Sequence, residues 1–309
     1  MAVEKFKNLS KFILAKKVLL VILIAVSFGL VLFFQKISGV PRDSSIVLAK
    51  FQVAKTIFPN LTKTESENVE NLIRRQIRLI VSRPNFDKSL AIAKKYQNKI
   101  RQEAAAKKFP QDLALGVALL ENGGSETAIS YAGAAGIFQL TTPTAKTLGL
   151  KIDRTIDERL DPTKNIEAGI SYLDQNLELF SDPGLAVWAH HAGTQNVSKA
   201  LKVYLQSIGE TDAFDFVEAV NSGVLDRAKY VWRSYVTKDN LNVHRLLQNP
   251  ALGPFLSELS DETELYPYKI VAAAILFEAS SNFSEDEFAR KVQLFNQGRI
   301  LLSDLLTPS

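Results

Sequence analysis

The stretch from Leu113 to Gln139 constrains the fold of this chain more than any other part of it. From Leu113 to Leu120 every residue except Gly116 is aliphatic, so the segment is apolar on all faces and predicts a helix buried in a core. Glu121 follows directly, and a Gly-Gly pair begins two residues after it. Because glycine adopts the left-handed backbone that ends helices, the sequence predicts a core helix that ends at a single carboxylate.

The predicted position of Glu121 favours the protonated form of its carboxyl group. A carboxylate at the end of an apolar helix is poorly solvated, and it lies near the negative end of the helix dipole. A carboxyl that keeps its proton near neutral pH can donate that proton to a leaving oxygen, which is the acid's task in glycosidic bond cleavage. We therefore take Glu121 as the candidate catalytic residue.

Composition sets limits on the class of protein. A chain of 309 residues that is 46% hydrophobic can form two or three small domains with a sizeable core. The absence of cysteine excludes disulfides, a thiol nucleophile and thiolate zinc sites, and three histidines suggest no metal cluster. We therefore expect no metal, no cofactor and no nucleic-acid partner. The net charge of +4 is unevenly distributed, because a basic first half precedes an acidic tail.

The N-terminal region predicts a membrane anchor. Residues 1–17 are basic, and an uncharged apolar run follows in the predicted transmembrane segment, residues 18–35. The 17 residues from Val18 to Phe34 barely span a hydrocarbon core of ~30 Å, with flanking lysines reaching the interface. The positive-inside rule places the N-terminus in the cytoplasm and the remainder outside the cell membrane. The alternative is a cleaved signal peptide, but no A-x-A-like site follows the run.

The remaining chain divides by charge and pattern into three predicted segments. Residues 36–108 contain helical patterns and predict a basic helical stalk; from Lys63 to Lys108 there are 12 Lys or Arg and 5 Asp or Glu. This charge indicates either contact with anionic lipid or wall polymer, or a solvated helical face. Residues 109–238 hold the densest turn chemistry and predict a helical catalytic domain. Residues 239–309 predict an acidic helical extension of unknown role, dispensable for the chemistry.

Three blocks of residues in the predicted catalytic domain carry a family pattern that follows Glu121. The second block is Ala128, Ser130, Gly133, Ala134, Gly136, Ile137, Phe138 and Gln139, and the third is Asn165, Ile166, Gly169, Tyr172 and Leu173. Ala189–Gly193 stands where A-Y-N-A-G is expected, and residues 226–231, DRAKYV, resemble the segment with the last tyrosine. The chain thus resembles the lytic transglycosylases with a soluble-lytic-transglycosylase (SLT) domain, over about 130 residues.

The resemblance implies a mainly α, goose-type-lysozyme-like catalytic domain that cleaves the MurNAc-GlcNAc β-1,4 bond of peptidoglycan glycan strands. It also implies that the substrate's own N-acetyl group attacks the anomeric carbon and that the product is 1,6-anhydroMurNAc. Two alternatives remain open: a muramidase of goose-type-lysozyme kind that uses water, and a catalytically weak peptidoglycan-binding scaffold. Partners in a cell-wall or secretion assembly are a further expectation.

The resemblance also assigns candidate site residues. Glu121 is the acid and then the base, and the expected substrate-binding residues are Asn122, Ser130, Gly136, Ile137, Phe138, Gln139, His190, His191 and Tyr230. The chain departs from the family pattern at Asn122 in place of serine, at Gly124 in place of a cleft-lining bulky residue, and at the two histidines in place of Tyr-Asn. Gln139 could instead be a structural amide, the histidines could be satisfied groups at a helix end, and Tyr172 and both tryptophans are better explained as core residues.

Overall fold

The computed structural model describes residues 51–209, 241–259 and 262–307. Within these ranges the protein is mainly helical, with isolated bridges between single residues in place of strands, which confirms the predicted class. The helices before the first gap are α1 (Gln52–Ile57), α2 (Lys63–Val81), α3 (Phe86–Ala106), α4 (Gln111–Glu121), α5 (Thr142–Thr147), α6 (Pro162–Phe180), α7 (Pro183–Ala192) and α8 (Thr194–Ser207). Those after it are α9 (Val243–Leu247), α10 (Gly253–Glu258), α11 (Tyr266–Asn282) and α12 (Glu285–Asn296).

Two helices that are apolar on all faces, α4 and α11, pack against each other at the centre of the core. Gly116 allows this close contact, because a Cβ atom at this position would lie 2.7 Å from the Ile270 carbonyl oxygen and 3.2 Å from the Ala274 Cβ. Helix α11 also packs against α2 and α7. The helix predicted from Leu113–Leu120 is therefore buried as expected, and its main neighbour comes from the C-terminal tail.

The two long helices of the predicted stalk belong to this same core. Helix α2 packs against α11, and α3 packs against α4 and α6, so their apolar faces contribute to the one buried cluster. Thr64 and Glu67 have capping-box spacing in the sequence, which predicts the start of a helix there, but the capping box of α2 lies two residues earlier. Thr62 Oγ1 accepts from the Glu65 amide (3.3 Å), and a Glu65 carboxylate oxygen accepts from the Thr62 amide (2.7 Å). Thr62 takes the cap because its backbone is extended, whereas Thr64 is already helical.

The predicted C-terminal extension is tied to the N-terminal helices by polar contacts as well as by α11. The Arg245 guanidinium donates to both carboxylate oxygens of Glu65, at 2.8 and 2.9 Å. The Asn242 side chain donates to the Pro59 carbonyl (2.9 Å), and the Lys94 ammonium donates to the Ser280 carbonyl (2.8 Å). Segments that the sequence separates into stalk, domain and tail thus pack together.

No helix among the described residues combines the length and the apolar composition needed to cross a bilayer. The predicted transmembrane segment, residues 18–35, lies outside the described residues, as does the basic segment 1–17. The membrane anchor therefore stays a prediction.

Candidate active site

The candidate acid, Glu121, is the last residue of α4, as the sequence predicts. Asn122 caps the helix, and Gly123 and Gly124 follow with φ of 58° and 80°, the left-handed conformation that glycine accommodates. The Tyr266 hydroxyl, at the start of α11, donates a hydrogen bond of 2.6 Å to Glu121 Oε1. The site is thus built where the ends of the two central apolar helices meet.

Burial raises the pKa of Glu121 above its usual value. The hydrogen bond from Tyr266 and the charges of Arg83 and Lys269 oppose this shift without cancelling it. The pKa of Tyr266 itself is raised well above its ordinary value, by burial first and by the Glu121 charge second, so its hydroxyl remains a donor. The direction predicted for Glu121 is confirmed, and desolvation is its main cause.

Two cations lie close enough to act on Glu121, and both come from outside the predicted catalytic domain. Arg83 follows the end of α2, and its Nη1 lies 3.4 Å from the carbonyl oxygen of Leu120, the residue before the acid. Lys269 lies one helical turn after Tyr266 on α11, and its Nζ lies 3.8 Å from a Glu262 carboxylate oxygen. These charges favour the carboxylate form of Glu121.

The two histidines at the end of α7 have different environments. His191 is exposed, and its ring stacks on the Tyr266 ring with a centroid distance of 4.4 Å and an interplanar angle of 6°. His190 Nε2 lies 3.1 Å from the Phe138 carbonyl oxygen, and burial lowers the pKa of His190 to about 4. His190 is therefore a neutral group that joins α7 to the glycine-rich loop, while His191 reaches the site through Tyr266.

The loop after Glu121 is held by its own polar groups. Gln139 has φ of 45°, and its Nε2 donates to the carbonyls of Ala128 (3.0 Å) and Gly136 (2.8 Å). Ser130 Oγ accepts from the Ala134 amide at 3.0 Å, which closes a tight turn. The amide nitrogen of Gln139 therefore has the structural role that the sequence left open as an alternative. Ser130 is an exposed turn residue.

Several residues of the family pattern serve packing. Ile137 and Phe138 are fully buried, and a Cβ atom on Gly169 would lie 2.4 Å from the Phe138 ring. Gly136 has no room for a side chain, since its Cβ would meet the Asn165 amide at 2.3 Å. Asn165 accepts from the Phe138 amide (2.7 Å) and donates to the Ala135 carbonyl (3.0 Å). The second block, which lies in the loop, thus packs against the third block, which lies in α6.

Asn122 and Gly124, the two residues after Glu121 that differ from the family pattern, both lie against the start of α3. Asn122 is buried, and its side chain donates to the carbonyls of Ser89 (2.9 Å) and Ala118 (2.7 Å) and accepts from the Gly124 amide (2.8 Å). A Cβ atom on Gly124 would lie 3.0 Å from the Asn85 Cβ, at the start of α3. The amide of Asn122 therefore connects α4 to α3, and Gly124 permits their close approach.

Tyr230, the remaining predicted site residue, lies outside the described residues, as does Trp232. Trp188 is buried in the core, with its Nε1 3.3 Å from Thr263 Oγ1, and Tyr172 is half-buried against α7, as expected for core residues. Tyr266, Arg83 and Lys269 were not predicted. One signal for Tyr266 was present: two all-apolar helices must pack together, and Tyr266 opens one of them while Glu121 closes the other.

Five other carboxylates in the predicted catalytic domain are candidates for a second catalytic carboxylate, and all five have protein partners. Glu126 accepts from Lys95 Nζ (2.6 Å) and the Tyr96 hydroxyl (2.7 Å), and Asp157 pairs with the buried Arg159 (2.7 Å). Glu158 pairs with Lys164, Asp153 caps the turn at Thr155, and Asp161 caps α6. These contacts lower the pKa values of Glu126, Asp153, Asp157 and Glu158, so these four groups stay ionised near neutral pH.

Comparison with known proteins agrees with this geometry. Residues 98–210 match the model of the transglycosylase SLT domain. A transglycosylase of Enterobacteria phage PRD1 is 36% identical over 90 residues, which cover 29% of this chain and 32% of the phage protein. The chain thus matches about a third of the length of that relative. The matched region contains Glu121, the glycine-rich loop and both histidines, whereas Arg83, Tyr266 and Lys269 lie outside it. The chain contains a transglycosylase SLT domain, which spans residues 98–210.

Proposed function

We propose that this protein is a lysozyme-like peptidoglycan lytic transglycosylase that cleaves the MurNAc-GlcNAc β-1,4 bond and leaves a 1,6-anhydroMurNAc end. The observation that carries the proposal is a desolvated carboxyl, Glu121, held by the Tyr266 hydroxyl at 2.6 Å within an SLT domain. A proton donor with a raised pKa at a fixed position is what the first step of this reaction requires.

The proposed reaction has two steps. Glu121 donates its proton to the glycosidic oxygen while the N-acetyl carbonyl oxygen of MurNAc attacks the anomeric carbon, so the C–O bond breaks and an oxazolinium forms. Glu121, now a carboxylate, takes the proton from the 6-hydroxyl as that oxygen attacks the same carbon and opens the oxazolinium. The acid is thus restored, and no water is consumed.

The partners of the other carboxylates support this route over direct hydrolysis. Many glycosidases need a second carboxylate as nucleophile or base. Among the described residues considered for that task, Glu126 and Asp157 are bound by cations, and Asp153 and Asp161 accept backbone amides. A substrate that supplies its own nucleophile removes the need for such a group.

Product analysis on purified peptidoglycan tests the proposal. Wild-type protein should release muropeptides that are one water lighter than hydrolysis products, and Glu121→Gln should release none. Glu167→Gln removes an exposed carboxylate on α6 and should leave the product yield near wild type. Reducing ends alone would assign the muramidase alternative, and release of no product by either protein would leave only a wall-binding scaffold.

We further propose that residues 18–35 anchor the protein in the cell membrane and that residues 1–17 lie in the cytoplasm. An anchored protein is positioned to meet partners of a cell-wall or secretion assembly. The apolar run and the preceding lysines support this topology. Protease added outside intact cells should digest the domain from residue 51 onward and leave a membrane-bound N-terminal fragment. Release of the intact domain into the medium would indicate a cleaved signal peptide.

A further inference from the structure

Tyr131 is fully exposed, with a relative accessible surface of 110%, and Ile129, two residues earlier, is 61% exposed. Five large apolar residues are exposed in the described part of the chain, and Tyr131 is the only aromatic one among them. A large ring held in water without burial is the kind of surface group that awaits a ligand.

The turn that carries Tyr131 is closed by short backbone and side-chain hydrogen bonds. The Ser130 amide donates to the Ala134 carbonyl at 2.8 Å, the Ala134 amide donates to Ser130 Oγ at 3.0 Å, and the Gly133 amide donates to the Ser130 carbonyl at 2.9 Å. The buried Arg159 adds a hydrogen bond of 2.7 Å to the Gly133 carbonyl. Because the backbone is fixed, little conformational entropy is lost when a ligand covers Tyr131.

This turn is continuous with the candidate active site. Ala128, which precedes Ile129, accepts hydrogen bonds from the Gly136 amide (2.9 Å) and the Gln139 side chain (3.0 Å). Its Cβ lies 3.6 Å from the position that a Cβ on Gly123 would occupy, two residues after Glu121. The exposed pair therefore lies on the loop that packs against the helix end bearing the acid.

We propose that Tyr131, together with Ile129, forms a stacking platform for a pyranose ring of the glycan strand, at a subsite away from the bond that is cleaved. The faces of a β-1,4-linked sugar carry C–H groups that pack on an aromatic face, and the tyrosine hydroxyl serves the polar edge of the sugar. A polymer substrate extends beyond the cleaved bond, and this turn belongs to the loop that packs beside the acid. The inference rests on the proposed function, because it needs a glycan strand in the cleft.

The test measures binding separately from cleavage. In the full chain carrying Glu121→Gln, co-sedimentation with purified insoluble peptidoglycan gives an apparent affinity without digestion. Tyr131→Ala should weaken this affinity by about five- to thirtyfold, as loss of a stacking residue does. Tyr131→Trp should restore it, because the flat ring is retained. Ile156→Ala, which truncates an exposed apolar residue on another loop, is the matched control and should bind like the parent.

Each outcome has one meaning for the platform. Unchanged affinity of Tyr131→Ala, or failure of Tyr131→Trp to restore binding, overturns it even when Glu121→Gln has abolished cleavage. The thermal unfolding midpoint of Tyr131→Ala should equal that of the parent, since the side chain is fully exposed, so weaker binding cannot come from unfolding. Loss of binding to a lipid vesicle or of self-association, with peptidoglycan affinity intact, would assign the ring to another partner and overturn the platform too.

Discussion

The chemistry of the site is set by a few side chains around one carboxyl. Burial raises the pKa of Glu121, while Tyr266, Arg83 and Lys269 hold that rise in check. The proposed reaction needs both influences, because in it Glu121 holds a proton before the first step and bears a charge after it. Tyr266 serves this balance directly, through a 2.6 Å hydrogen bond, and its ring is stacked on His191.

Tyr266→Phe should lower kcat by about 10- to 100-fold, because the hydrogen bond that fixes and stabilises the Glu121 carboxylate is lost. The buried ring is retained, so the loss of stability should be limited to about 1 kcal/mol, as expected for one hydrogen bond. Tyr268→Phe is the control on the same helix: its hydroxyl lies 2.6 Å from His244 Nδ1, away from the acid. That variant should lose about 1 kcal/mol of stability but keep its turnover. Equal kcat values for the two variants would contradict the assignment of Tyr266.

Arg83→Gln should move the alkaline limb of the pH profile of kcat/KM to higher pH. The Arg83 charge lowers the pKa of Glu121, so its removal lets that pKa rise further. Since the acid works in its protonated form, activity lost as pH rises through this pKa is then lost at a higher pH. Arg83→Lys keeps the charge and should leave the limb near its wild-type position. A limb that moves to lower pH in Arg83→Gln would refute this electrostatic account.

At the scale of elements, the helix ends determine where the functional groups lie. Helix α4 ends at Glu121 because two glycines with positive φ follow, and Asp182 caps the start of α7, since its Oδ1 accepts from the Leu185 amide at 2.7 Å. Asp182 is buried, and burial raises its pKa to about 6 despite two backbone hydrogen bonds. Asp182 caps the helix whose other end bears His190 and His191, so the stability of this cap matters for the site.

Asp182→Asn should raise the unfolding midpoint at pH 7 by about 2 to 6 °C. The folded-state pKa of about 6 lies above the unfolded value, so the folded protein binds the proton more tightly and loses stability as pH rises through this range. Asparagine keeps the capping acceptor and removes the buried charge. Thermal melts from pH 3.5 to 8 should show the difference between the two proteins vanish below pH 4. A constant difference across the range would exclude the charge as its cause.

At the scale of the whole molecule, one core includes helices from all three segments that the charge pattern separates. Helix α11 lies in the centre, against α2, α4 and α7, and supplies Tyr266 to a site whose acid belongs to the SLT domain. The SLT match ends at residue 210, before this helix begins. The sequence alone predicts that the C-terminal region is dispensable for the chemistry. The packing of α11 leads to the opposite expectation, that this region is essential.

Removal of residues 239–309 should abolish peptidoglycan cleavage and yield an insoluble or molten protein, because it exposes the apolar faces of α2 and α4 and deletes Tyr266. Removal of residues 299–309 alone keeps α11 and α12 but deletes the buried Leu302 and Leu305, so it should lower the unfolding midpoint while retaining a cooperative thermal transition and most activity. Near-ultraviolet circular dichroism and product release report the two properties. A folded and active protein that ends at residue 238 would show that α11 does not support the site.

The sequence by itself determined the helical class, the buried helix before Glu121, the stop at its glycines and the register of the pattern that identifies the SLT domain. These features depend on neighbouring residues, and local propensity and periodicity are sufficient to reveal them. The partners of Glu121 were decided only by the tertiary structure. Arg83 lies 38 residues before the acid and Tyr266 lies 145 residues after it, as counted along the chain. Tyr266 meets Glu121 because α4 and α11 bury their apolar surfaces against each other, whereas no local pattern indicates that Arg83, after α2, lies beside the acid.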